Sequence, residues 1–141
     1  MVKALTQILE YTNSDILKRY ELDYALNSLS PKEAFNELMK FLWLLQKHGA
    51  EKALSPENEQ LDFVCGIPEE IDDMWHTFLL FTKEYMEFCT ESFGEFIHHA
   101  PTSDTERLTI DISQSHFARY LNYVRDNLGE ETSSKWFNIS L

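Results

Sequence analysis

The run Ser30-Pro31-Lys32-Glu33 constrains the fold more than any other stretch of the chain. Serine caps a helix, proline suits the first helical position, and a glutamate three residues beyond the cap can reach back to the cap's N–H. Phe35, Leu38, Met39, Leu42 and Leu45 then form one stripe at helical spacing, which Phe41, Trp43 and Leu44 widen. A helix apolar over so broad an arc must be buried on more than one side, so the rest of the chain has to cover it. Lys47 and His48 suit the negative end of the helix dipole and Gly49 a left-handed stop, which places the expected end there.

Other segments read the same way. Leu5, Ile8 and Leu9, then Ile16, Leu17 and Tyr20, predict two short helices, the second capped by Ser14. Residues 50–68 predict a loop with a buried anchor, LDFVC, in which Cys65 is a small core filler. LTIDI at 108–112 alternates like a short strand. Phe117, Tyr120, Leu121, Val124 and Leu128 predict an amphipathic helix that Gly129 ends, followed by a polar tail pinned by Trp136 and Phe137. The expected architecture is all-α, with at most that one strand: a single domain over 1–141, built as a compact bundle of five to seven helices.

Composition excludes several functions. Twelve Lys and Arg against twenty-four Asp and Glu give a net charge of −12. Phosphate backbones and anionic membranes are repelled on average, so neither nucleic acid nor membrane is an expected partner; the acidity reads first as a solvated surface and, more sharply, as a face for a basic protein. Cys65 and Cys89 are too few and too far apart for a disulfide framework, and the first residues lack a signal peptide's pattern, so a cytoplasmic protein is expected.

Chemistry concentrates between Ile71 and Pro101, which holds three of the five histidines. On one helix, Asp72 or Asp73 can sit beside His76, and such a pair either binds a metal or makes a plain structural contact. Joining His98 or His99 to it requires a bend. A continuous helix would carry Ser92 about 24 Å beyond His76, while the return from Gly94 to His98 spans at most about 14 Å. Thr82, followed by Glu84, reads as a second cap, so a helical corner is expected at 81–82, with Trp75, Thr82, Tyr85 and Cys89 forming it and Gly94 turning the chain back. Trp75 would partly bury His76, favouring the neutral, ligating imidazole. Asp72, His76, His98 and His99 are the candidate ligands, with donors suited to zinc or iron. The aromatics around them are read as core.

The pattern Asp72-x-x-Trp75-His76-x-x-Leu79-Leu80, continued through Phe88-Cys89, Phe93-Gly94-x-Phe96-Ile97-His98-His99 and Pro101, resembles small bacterial proteins grouped with the glycine-rich-domain-containing proteins. The likeness implies a helix break near Phe81-Thr82, and it implies no activity. This chain has Phe78 where relatives with Trp-His-x-His carry a second histidine, and it lacks the glycine-rich segment.

No catalytic cysteine arrangement, phosphate loop, dinucleotide fingerprint or HExxH motif is present. Three functions stay open: a non-enzymatic binding or adaptor module built round the Trp-His corner with a protein partner, a zinc or iron domain that could serve a metal-dependent enzyme, and an acidic neutraliser of a basic protein.

Overall fold

The structure, a computed structural model, describes residues 2–99 and 110–139, with side chains over 2–99 and 114–137. Seven α-helices are found among the described residues: α1 (Leu5–Ile8), α2 (Ser14–Asp23), α3 (Pro31–Leu54), α4 (Glu69–Leu80), α5 (Thr82–Phe93), α6 (Ile110–Leu128) and α7 (Glu130–Ile139). They contain no strand, and the all-α class stands. None of these helices is long and apolar enough to cross a membrane. The chain divides into two compact units, one of residues up to Trp43 with Ile67–Ile97, the other of Leu44–Gly66 with His98–Ile139.

In the first unit, α2 is capped by Asn13, whose side chain accepts from the amides of Asp15 and Ile16. Ser14, the expected cap, is the first helical residue; asparagine caps as well as serine and stands one position earlier. Helix α3 starts as its sequence dictates. Glu33 N–H donates to Ser30 Oγ at 3.2 Å, and Ser30 N–H donates to the Glu33 carboxylate at 3.1 Å. Phe35, Leu38, Met39, Phe41 and Leu42 are all buried, so the helix is covered on more than one side. Tyr11 stacks on Phe35 and Phe78, each at 5.9 Å between ring centroids, and packs on Phe88 at 4.8 Å.

The first turn of α4 is clamped to the loop before α3. Glu70 accepts three hydrogen bonds, from the Ser28 amide, the Ser28 hydroxyl and the Leu29 amide, at 2.8–2.9 Å. Asn27 donates to Asp73 at 2.9 Å. Helix α4 ends at Leu80 and α5 begins at Thr82, so the corner lies where the sequence placed it. Its cap differs from the expectation: Phe81 occupies the position, with no side-chain cap bond, and Thr82 is the first helical residue.

Packing accounts for the corner. Trp75 Nε1–H donates to Tyr85 Oη at 3.0 Å, and the rings of Phe78 and Tyr85 meet edge-on at 5.0 Å. Ten residues of straight helix would separate Trp75 from Tyr85 by about 15 Å along the axis, so this bond forms only if the helix breaks. Trp75, Phe78, Tyr85, Phe88, Cys89 and Phe93 are buried, whereas Phe96 is exposed. Gly94 then turns the chain with φ of 77°, a left-handed conformation that glycine adopts without a Cβ clash.

In the second unit α3 runs on to Leu54, past the stop expected at Gly49, whose φ is not positive. A mid-helix glycine costs about 1 kcal/mol relative to alanine. Interactions beyond it offset that cost: Lys47 pairs with Glu51 at 2.9 Å, Lys52 pairs with Asp62, and Glu51 accepts from the Tyr123 hydroxyl. Leu61 and Phe63 are the buried anchor of the following loop.

Helix α6 begins at Ile110, so Ile110–Ile112 is helical where a strand was expected; Leu108 and Thr109 lie outside the described residues. Tyr120 and Val124 are its buried stripe, while Phe117 is half exposed. Gly129, with φ of 93°, ends it. The expected polar tail is a helix, α7, in which Trp136 is buried and Phe137 meets Phe117 edge-on at 5.2 Å. Its acidic first residues, Glu130 and Glu131, suit a helix N-terminus.

Candidate metal centre

Helix α4 carries two faces with opposite fates. Ile71, Met74, Trp75 and Phe78 are buried along one. One position on from Trp75, His76 points outward with 52% of its side chain exposed. Trp75 therefore does not bury His76. The ring is the outward neighbour of the buried indole because successive helical residues lie about 100° apart.

The two aspartates separate in the same way. Asp73 accepts from Asn27, and its backbone carbonyl accepts from the Thr77 hydroxyl at 2.9 Å. Asp72, one turn before His76, brings Oδ2 to 3.7 Å from His76 Nε2. Two donors on a tetrahedral ion at about 2.1 Å from each lie about 3.4 Å apart, so this spacing is close to that of ligands sharing an ion.

Beyond Gly94 the chain returns at once. Tyr85 Oη donates to the carbonyl of Ile97 at 2.6 Å. His98 and His99 follow directly. Asp72, His76 and His99 each offer one ligand atom, and these atoms lie within 4.8 Å of one another. His98 is exposed and is not in the group, so of the two adjacent histidines it is His99 that joins Asp72 and His76. One carboxylate and two imidazoles form a donor set suited to zinc or ferrous iron, and three protein ligands leave coordination positions for water or another donor.

Cys89 is wholly buried beside Tyr85. Burial raises its thiol above the ordinary range, outweighing its hydrogen bonds with Ile97 and Tyr85, which lower it. It belongs to the core of the corner.

A second histidine arrangement escaped the sequence. His48 lies in the interior of α3, stacked on Phe63 at 4.2 Å, with Nε2 at 2.8 Å from the Leu61 carbonyl and Nδ1 at 3.6 Å from Cys65 Sγ. A neutral ring that donates from Nε2 accepts at Nδ1, so the Cys65 thiol donates to His48. Burial pushes that thiol up to about 12, which holds the proton on sulfur and makes the pair unsuited to nucleophilic chemistry. Cys65 thus has a histidine partner that seventeen residues of separation concealed. The aromatic anchor Phe63 was the one available hint.

The UCP032817-like family model matches residues 32–127. The chain belongs to this family. Its description names no activity. No curated protein and no solved structure matches the chain.

Proposed function

We propose that this helical protein binds a divalent transition metal, zinc or ferrous iron, through Asp72, His76 and His99. The observation that carries the reading is the convergence of three ligand atoms of suitable type within 4.8 Å. The exposure of His76 supports it, because a histidine needed for packing would be buried and this one is not. With three protein ligands, an ion would keep a position for water, the arrangement from which metal-dependent catalysis proceeds.

Protein purified without an affinity tag and analysed for metals should hold close to one equivalent of zinc or iron, or take it up when supplied. Less than a tenth of an equivalent, with no uptake of either ion, would remove the proposal.

A second reading rests on different residues. Leu22 is 78% exposed and Leu26 is fully exposed, at and just beyond the end of α2. Two large apolar side chains in water four residues apart favour a protein-binding role in the same unit. Together with the charge of −12, they point to an adaptor for a basic partner, whose association should weaken as salt is raised.

A further inference from the structure

Tyr85 holds a position that the ligand set alone does not explain. Its hydroxyl is buried, accepts from Trp75 Nε1–H at 3.0 Å and donates to the Ile97 carbonyl at 2.6 Å. Trp75 is the residue before His76, and Ile97 lies two residues before His99. One oxygen therefore ties the helix that carries Asp72 and His76 to the backbone that leads into His99. Two residues of chain span at most about 7 Å, so fixing the Ile97 carbonyl confines the volume that His99 can visit.

We propose that Tyr85 is a positioning residue for the metal centre, holding through Trp75 the helix that carries Asp72 and His76 and through Ile97 the backbone that leads into His99. This rests on the metal-binding reading above. The hydroxyl is suited to the role because it joins the two segments directly: it has one proton to give, which goes to Ile97, and it receives the indole N–H. Burial, together with the Cys89 thiol beside it, raises its pKa, so the donor keeps its proton across the working pH range. Phenylalanine in its place would leave the ring packing against Phe78 and Phe96 intact while releasing the Trp75 N–H and the Ile97 carbonyl.

The test is a cobalt(II) titration of the full chain after metal stripping, followed by the visible d–d absorption, whose intensity reports the coordination number. Wild type, Tyr85→Phe and Ile16→Ala are compared. Ile16 is a buried residue of α2 in the same unit, so its variant controls for lost stability. Tyr85→Phe should bind cobalt about 10- to 100-fold more weakly, the range found when a group orienting a ligand is removed, with a fainter band as His99 drops out. Ile16→Ala should keep the wild-type spectrum and affinity. Equal affinity and equal spectra for wild type and Tyr85→Phe would overturn the inference and leave the metal site standing. No band and no binding in wild type would overturn the metal reading itself. If Tyr85→Phe does not fold, Trp75→Phe, which removes the indole N–H together with part of the buried ring, carries the test beside Ile16→Ala as the control for lost packing: binding weaker than that of Ile16→Ala supports the role, and binding equal to it contradicts the role.

Discussion

His48 and His76 are both helical histidines beside a potential partner, and they do opposite work. His48 is enclosed: Phe63 covers one face, Leu61 accepts from Nε2, and the Cys65 thiol engages Nδ1. Every polar atom of that ring is used in holding a loop onto α3. His76 stands half in water, with Asp72 beyond ordinary hydrogen-bond length. The lesson is that a histidine's neighbours in sequence do not reveal its role. Its role follows from which helical face it occupies and what comes back along the chain to meet it.

The sharpest way to break this contrast is to exchange the outcomes. Trp75→Ala, one position before His76, should cost about 3–5 kcal/mol in chemical denaturation, because it empties a packed site and removes the N–H that the Tyr85 hydroxyl accepts. His48→Ala should cost about 1–3 kcal/mol by stranding the Leu61 carbonyl and the Cys65 thiol, and should leave metal uptake unchanged. His76→Ala should change stability by less than about 0.5 kcal/mol, as for surface substitutions generally. If the last were as destabilising as Trp75→Ala, His76 would be structural after all.

A smaller effect tests why α3 passes Gly49. An added Cβ there meets nothing within 4 Å. Gly49→Ala should therefore stabilise the protein by about 0.5–1 kcal/mol, seen as a higher denaturation midpoint at unchanged slope. A loss of stability would mean that the position needs glycine's backbone freedom, as the expected helix stop did.

The acid limb of stability sharpens the division of labour among the carboxylates of α4. Burial raises the pKa of Glu70, but hydrogen bonds from the Leu29 and Ser28 amides and the Ser28 hydroxyl outweigh it, and the folded value is lowered. Its contribution is thus fully present above the unfolded glutamate value of about 4.3 and is lost as pH falls through the lower folded value. Glu70→Gln should flatten that part of the stability curve, whereas Asp72→Asn should weaken metal uptake at neutral pH instead.

Local chemistry made much of this fold legible. The Ser30–Glu33 box, the corner at 81–82 and the left-handed Gly94 each act over a few residues, and each is where the sequence placed it. What failed was settled by longer-range interactions or by ambiguous patterns. Gly49 resembled a stop, but the groups that carry α3 past it include Asp62 and Tyr123, far along the chain. The cap at Thr82 was a plausible cause for a real break, whose geometry matches the Trp75–Tyr85 and Phe78–Tyr85 contacts instead. LTIDI alternates, yet five residues cannot distinguish a strand from the first turn of a long amphipathic helix. Of the candidate ligands, Asp72 and His76 were legible from their spacing. The choice of His99 over His98 was not, because it depends on the turn at Gly94 and on where Tyr85 holds Ile97.

The most direct measurement is an isothermal titration of metal-stripped wild type and His76→Ala with zinc at neutral pH. Wild type should bind one equivalent, and His76→Ala should show no comparable binding while remaining folded. Equal zinc binding by the two proteins, or none by wild type, would contradict the account.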